Sequence, residues 1–338
     1  MNKLTFIICI LFSLISIFPA FGENELIREL YEIIEENTSI SEDSKDRILF
    51  LPGLSYNFVT FDNVTIHDSS ASLTILRFNP EEKNKMLAIS LMYNPDILTH
   101  DSSDYPSLYH GAALSIMQKK DRHLFNIAFM PMTDKPLYGG SHSSMGAAAY
   151  SYNLIKGNHF SMDLGAGLLF LDIDVKLNNG MPWMLWPLPM FSFSWEYEWF
   201  TFDFLPGSKL VIAPKKPISL IFTSNSNEYD ASLWYKHFKD KNPSKEIMGI
   251  GFGVKNNTNN VIMAGGERYG IAYNALYGAV RVFKLLEVKG GWAFNGKEGD
   301  YRMNWNTLFN AAGYSGRYMY DRRIGNGYFV SFSARVNM

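Results

Sequence analysis

Long runs of alternating residues dominate the chain from about residue 48 onward. Residues 160–170, FSMDLGAGLLF, place large apolar side chains on one face and mostly Ser, Asp and Gly on the other. Similar runs occupy 86–94, 146–155 and 248–255. A period of two is the spacing of a β-strand, in which successive side chains point to opposite faces. These runs therefore predict an all-β fold.

Two properties of the runs favour a membrane barrel over a soluble sandwich. The second face is repeatedly Gly, Ala, Ser and Asn rather than Lys and Glu, which suits a barrel lumen behind a lipid-facing apolar surface. Several runs also exceed the usual ~5–6 residues of a globular strand. The predicted fold is all-β: a closed antiparallel transmembrane β-barrel of about 12–14 strands with a short N-terminal helical segment.

Fifteen segments are candidate strands, although single-chain bacterial barrels have even numbers, so at least one assignment is wrong. The weakest candidate is 54–60. The full set is 54–60, 71–78, 86–93, 108–117, 123–131, 146–155, 159–173, 190–197, 200–212, 217–224, 228–237, 247–255, 269–282, 286–294 and 327–337. Connections are predicted to alternate between short ones, such as 156–159, and long polar ones at 95–106, 132–144 and 296–326.

The N-terminus predicts export. Lys3, an apolar run from Leu4 to Phe18 and small residues before position 22 form a secretory signal peptide over 1–22, with cleavage after Gly22. The chain's one cysteine, Cys9, lies inside it. Residues 23–47 place Leu and Ile at helical spacing among acidic residues, which predicts an amphipathic helical segment. The barrel is predicted to occupy 48–338.

The C-terminal run 327–338 has the features of a last barrel strand. Apolar side chains hold every second position from Tyr328 to Met338. Bacterial outer-membrane barrels end in such a strand, and the barrel assembly machinery recognises it. The predicted location is therefore the bacterial outer membrane, with the lipid bilayer and that machinery as partners.

No catalytic, cofactor-binding or metal-binding residues are assigned from the sequence. A formal net charge of −2 without basic blocks gives no indication of nucleic acid. The string Ser141-His142-Ser143 resembles a hydrolase loop in composition but lacks a recognisable orienting carboxylate. His100 to Asp104 lacks EF-hand spacing, and Asp172 and Asp174 are interpreted as solvated strand-end carboxylates.

Two further sets of residues are assigned places in the barrel. The charged side chains expected to face the lumen are Arg281, Glu287, Lys289 and Arg335. The aromatic residues expected at the membrane interface are Trp183, Trp186, Trp195, Tyr197 and Trp199. The apolar alternation changes phase at Glu198-Trp199, which predicts a two-residue hairpin connection or a bulge there.

The middle of the chain resembles a family of outer-membrane barrels of unknown function. The resemblance is carried by Pro187 to Phe193 and by Trp199 to Gly207, a proline-led aromatic strand followed by a tryptophan-led strand that ends near a proline. It implies architecture and location but no catalytic residues. The expected role is a channel or a barrel that binds a small-molecule solute. A lipid-acting barrel enzyme, an adhesin with long external loops and a secreted soluble β protein are the alternatives.

Overall fold

The structure is a computed structural model, and it describes residues 47–79, 85–100, 108–133, 142–173, 183–204, 208–224, 228–239, 246–262, 268–301 and 322–335. These residues form sixteen strands. In chain order they are β1 (Arg47–Thr60), β2 (Val64–Phe78), β3 (Lys85–His100), β4 (Leu108–Lys120), β5 (His123–Thr133), β6 (His142–Lys156), β7 (Phe160–Ile173), β8 (Trp183–Tyr197), β9 (Phe200–Phe204), β10 (Ser208–Ile212), β11 (Ile218–Ser224), β12 (Glu228–Phe238), β13 (Glu246–Ile262), β14 (Arg268–Val282), β15 (Leu286–Tyr301) and β16 (Arg322–Arg335). No helix in these ranges has the length and apolarity needed to cross a membrane.

The strands close into one antiparallel barrel. Each strand pairs with its neighbours in sequence, and β1 pairs with β16 from Gly53↔Arg335 to Thr60↔Tyr328. Closure satisfies the backbone groups that an open sheet edge would leave unpaired. The prediction of a closed antiparallel barrel is confirmed.

The predicted number of 12–14 strands is wrong, because the barrel has sixteen. The single strand predicted over 200–212 is two strands, β9 and β10, joined at 205–207. Pro206 and Gly207 fall in this connection, and both residue types interrupt a strand. The weakest candidate, 54–60, is the second half of β1.

The two ends of the barrel differ in their connections. At the terminal end, where β1 begins and β16 ends, the connections include the two-residue 121–122 and 198–199. At the opposite, loop end the longest connection is 302–321. The long connections are shorter than predicted because β3 extends to His100 and β15 to Tyr301.

The two faces of the barrel reverse the distribution seen in a soluble protein. Along β12, Asp230, Trp234 and Lys236 face inward and are buried, whereas the alternate positions Leu233 and Tyr235 face outward and are exposed. Phe252 on β13 is 67% exposed on the outer face. Large apolar side chains therefore cover the outside, and many polar ones line the inside.

The change of phase at Glu198-Trp199 is a two-residue hairpin connection, as predicted. Tyr197 lies opposite Phe200, Trp195 opposite Phe202 and Phe193 opposite Phe204. Ser194 and Asp203 face each other on the inner side, where their side chains hydrogen bond at 2.6 Å. Neither residue of the Glu198-Trp199 connection has a positive φ, so the turn does not need the glycine of a type I′ hairpin.

Several predicted features lie outside the described residues. They are the signal peptide 1–22, all of the segment 23–47 except Arg47, the side chains of Ser141, His142 and Ser143, and Asp174. Arg47 is the first described residue and the first residue of β1.

Candidate functional site

Two parts of the inner face of the barrel differ strongly from each other. The charged wall is the inner face of β12–β16, and the small-residue wall is the inner face of β5–β8. On the charged wall the large or ionised residues include Asp230, Trp234, Lys236, Glu246, Lys255, Tyr277, Arg281, Glu287, Lys289 and Phe329. On the small-residue wall the inward positions include Ala128, Ala147, Ala149, Ser151, Gly165 and Gly167.

Glycines on β13 make room for the aromatic rings of the charged wall. A Cβ added to Gly251 would lie 2.8 Å from two ring atoms of Trp234, and one on Gly253 would lie 2.5 Å from Cζ of Tyr277. Gly249 is next to the same indole. The rings can lie flat against the backbone only because these positions lack side chains.

Trp234 supports a cluster of charges near the terminal end. The Arg281 guanidinium lies 4.3 Å from the centre of the Trp234 ring. Its Nη2 and Nε donate to Oε2 of Glu287, at 2.5 and 2.7 Å, and its Nη1 lies 4.0 Å from Oε1 of Glu246. Arg281 and Glu287 are directly opposite each other on the β14–β15 hairpin, so the pair is fixed by register.

Lys289 continues the ionic contacts away from the terminal end. Its Nζ lies 3.1 Å from Oε1 of Glu287 and 3.9 Å from Oδ2 of Asp230. The Tyr277 hydroxyl donates to the Asp230 carboxylate at 2.6 Å. Strands β12, β13, β14 and β15 thus supply one connected network of both charge signs.

Lys255 lies nearer the loop end, and its environment is different. Its side chain is buried, and its Nζ lies 4.0 Å from the centre of the Phe329 ring and 6.0 Å from that of Tyr273. The carboxylates of Glu228 and Asp230 are near enough to attract its charge, and Asp230 lies directly opposite Lys255 in the β12–β13 register. Gly291 lies between Tyr277 and Phe329 in the sheet register, and the centres of these two rings are 6.1 Å apart. The ammonium is thus buried among ring faces and carboxylates of the inner face.

The small-residue wall carries few charges, and its carboxylates are hydrogen bonded. Asp163 accepts from Nδ2 of Asn153 at 2.6 Å and from the Ser192 hydroxyl at 3.1 Å. On the neighbouring strand β9, Asp203 accepts from the Ser194 hydroxyl of β8. In the part of the chain that the structure describes, no group of three His, Cys, Asp or Glu side chains is placed to hold a metal ion.

The structure brings together most of the charged residues selected from the sequence. Arg281, Glu287 and Lys289 lie in contact on the inner face. Arg335 ends β16 opposite Gly53, and its side chain lies outside the described residues.

The predicted aromatic residues fall at both ends of β8. Trp195, Tyr197 and Trp199 face outward at the terminal end, where His159 stacks on Tyr197 at 4.8 Å. Trp183 and Trp186 lie at the loop end, and their side chains are not described.

Sequence reasoning missed Asp230, Lys255 and Tyr277. The alternation along β12 and the glycine run of β13 contain a signal for them, because glycines on an inner face leave space for rings from the next strand. The three residues lie on different strands, however, and Asp230 and Tyr277 are 47 positions apart. Their contact has no local signature.

Comparison with known proteins does not place the chain in a family. No family model matches it, and no curated protein matches its sequence. Among solved structures, CdiB from Acinetobacter baumannii is 7% identical with a TM-score of 0.40, covering 85% of this chain and 60% of CdiB. An outer membrane channel from Pseudomonas putida is 9% identical with a TM-score of 0.29, covering 86% of this chain and 95% of that one. The β domain of the Bordetella autotransporter BrkA is 6% identical with a TM-score of 0.26, covering 86% and 99%.

The highest of these TM-scores is 0.40, so nothing that these proteins do is carried over to this chain. The class of protein is defined by the chain's own topology: a closed, up-and-down antiparallel barrel with an even number of strands and an apolar outer face. In this respect the resemblance to bacterial outer-membrane β-barrels is confirmed.

Proposed function

We propose that the chain is a bacterial outer-membrane channel that passes small solutes through its lumen. The observation that supports a channel most directly is the closure of sixteen strands into one barrel. At strand spacings of about 4.8 Å and a tilt of about 40°, such a barrel is about 30 Å across between opposing backbones. Barrels of this size leave an aqueous channel, whereas about eight strands give an interior that side chains fill.

The outer face supports insertion in a bilayer. Its exposed large apolar residues would cost free energy in water, at about 25 cal/mol for each Å² exposed. Trp195, Tyr197 and Trp199 lie together at the terminal end, the position in which amphipathic rings anchor a barrel to a membrane interface. Export through the cleaved signal peptide, and recognition of β16 by the assembly machinery, belong to the same proposal.

The two walls support passage and binding rather than catalysis. The small-residue wall leaves space in the lumen, and the charged wall presents paired ions of both signs. Paired ions give a solute donors and acceptors without a strong net field. We therefore expect weak ion selectivity.

Single-channel recording in planar bilayers tests the channel. Wild-type protein is expected to insert with stepwise conductance and to allow uptake of small sugars by liposomes. Ala149→Trp adds an indole to the lumen side of β6 and is expected to lower the conductance. Ala148→Trp is the matched control, because this neighbouring residue faces outward, and its conductance should equal that of the wild type.

Two results would contradict the channel. One is the absence of both conductance and sugar uptake from protein that migrates as a folded barrel. The other is an equal effect of the two tryptophans, since only the inner one can narrow a lumen.

A further inference from the structure

A cluster of apolar side chains lies on the inner face of β1–β5 at the terminal end of the barrel. Its members on β1 alternate with outward residues such as the exposed Ile48. Leu76 lies opposite both Leu49 and Ala88. Ala88 in turn lies opposite Met117. We call this cluster the inner apolar patch, and it consists of Leu49, Leu51, Leu76, Phe78, Met86, Ala88, Met117 and Leu124.

The burial of these strands increases toward the mouth of the barrel. On β2–β5 the members of the inner apolar patch are at most 7% exposed, and Leu76 is fully buried. The next inward positions toward the middle of the barrel, Thr74, Ser90 and Ser115, are only half-buried. Neighbours on the wall cover the sides of a side chain such as Leu76, but its tip points into the lumen. Its full burial therefore requires contact from the lumen side.

A polar atom at the edge of the patch is buried as well. Asn126 on β5 lies opposite Met117 and is 6% exposed. Among the described residues, no donor is within hydrogen-bond distance of its Oδ1. Water in an open lumen would hydrate this oxygen, and a buried acceptor without a partner is costly. The position therefore fits a ligand that covers the wall and donates a hydrogen bond.

The chain itself contains a segment of matching character. Residues 23–46 lead directly into Arg47, the first residue of β1, and β1 carries Leu49 and Leu51 of the patch. The sequence of this segment predicts an amphipathic helix with Leu or Ile at 26, 27, 30, 33 and 34. Its nine Asp and Glu against two Lys and Arg give a formal charge of −7. The apolar stripe is unfavourable in water and the carboxylates are unfavourable in hydrocarbon, whereas a lumen wall offers an apolar surface beside water.

The dimensions of the segment fit the patch. From β1 to β5 the patch spans four strand spacings, or about 19 Å. A helix over 23–36 would be about 21 Å long. Twelve residues separate Ile34 from Arg47, and an extended chain of that length reaches about 40 Å, enough to return into the barrel mouth. The polar residues 37–39 supply side-chain donors of the kind that Asn126 needs.

We propose that residues 23–46 fold back into the terminal end of the barrel and dock on the inner apolar patch. The stripe of Leu and Ile packs on Leu76, Ala88 and Met117, and the acidic face points into the water of the lumen. The docked segment narrows this mouth of the barrel. The inference goes beyond the proposed channel, because the segment docks whether or not a solute passes.

Engineered disulfides test the docking in the full chain, exported and folded in membranes. Cys9, the chain's one cysteine, is replaced by serine in every variant. Leu30→Cys, at the centre of the stripe, is expected to form a disulfide with Ala88→Cys, and mass spectrometry of the digested protein detects the linked peptides. Leu26→Cys and Ile33→Cys extend the scan along the stripe, since a disulfide forms only between Cα atoms within about 7 Å.

Two matched controls should remain unlinked. Glu32→Cys with Ala88→Cys tests the opposite side of the predicted helix, because position 32 lies away from the stripe. Leu30→Cys with Ser161→Cys tests another part of the wall, since Ser161 faces inward at the same end of the barrel on β7. Linking of the controls to the same extent as the patch would overturn the docking.

Trypsin reports the docking without engineered thiols. Cleavage after Arg28 in the folded wild type should be about tenfold slower than in the double variant Leu30→Asp/Ile33→Asp, because proteolysis follows the undocked population. The control Glu32→Ala/Glu35→Ala changes the acidic face and should keep the wild-type rate. Faster gel migration of unheated protein confirms that each variant is folded.

Two further results would overturn the docking. Rapid reaction of Ala88→Cys with a water-soluble maleimide would show that the patch is open. An unreactive Ala88→Cys that links to no position of the stripe would show that another part of the chain or a lipid covers the patch. Specific links in a protein without conductance or sugar uptake would instead reject only the channel.

Discussion

At the scale of single residues, the charged wall depends on positions that have no side chain. The inner face of β13 is glycine at 249, 251 and 253, and the rings of Trp234 and Tyr277 occupy the space that these positions leave. The outer face of the same strand carries exposed side chains such as Phe252. Glycine in a strand normally weakens it, so its repetition on one face indicates a packing role.

Adding one methyl group to this face should destabilise the barrel. Gly251→Ala places a Cβ 2.8 Å from ring atoms of Trp234, and overpacking of this kind costs about 1–3 kcal/mol. Urea unfolding in micelles measures the change. Gly278→Ala is the control, because the nearest atom to its Cβ is a Phe252 ring carbon at 4.0 Å. Equal unfolding midpoints for the two variants would contradict the packing role.

At the scale of elements, one part of β8 is paired on both sides and the other part on one side only. From Phe193 to Tyr197 it has partners on both sides, whereas from Trp183 onward to Phe191 the described residues pair with it only from β7. Proline occurs twice in the second part and not in the first. The distribution follows from hydrogen bonding, because a proline costs a ladder bond only where a partner strand is present.

Proline substitutions along β8 should reveal this difference. Phe193→Pro removes an amide that points toward β9 and leaves its acceptor without a donor, which costs about 1–3 kcal/mol. Phe193→Val keeps the amide and separates this effect from loss of the ring. Pro189→Val should change the unfolding midpoint little. The restored N–H points away from β7, to the side on which no described strand pairs with this part of β8. A large stabilisation by Pro189→Val would show that this edge has a partner.

At the scale of the whole molecule, two properties determine the environment in which the barrel is stable. They are the closure of the sheet and the apolar character of its outer face. The described strands form one closed sheet, and its outer surface exposes many large apolar side chains. These two properties suit hydrocarbon, where every backbone group must be paired within the protein. A secreted soluble β protein would instead be expected to expose a polar outer face.

Fractionation checks this consequence directly. The protein is expected to remain with membranes after carbonate and urea washes and to migrate faster on gels when unheated than after boiling. Removal of residues 322–338 deletes β16, opens the barrel between β1 and β15, and should abolish both behaviours. Release of the full chain by carbonate would contradict membrane insertion.

The sequence by itself determined the strand character, the face to which most side chains point and the hairpin at Glu198-Trp199. These follow from a period of two, which is a property of the backbone and does not depend on partners. The same reasoning placed Arg281, Glu287 and Lys289 on one face.

Only the tertiary structure decided the sixteen strands, the unequal wall and the contact of Asp230 with Tyr277 and Lys289. Strand number depends on where each connection interrupts a run, as at 205–207. The unequal wall depends on the lengths of neighbouring strands. The network of Asp230, Tyr277 and Lys289 joins residues far apart in sequence. None of these has a local periodic signal, because each arises from register between strands once the sheet has closed.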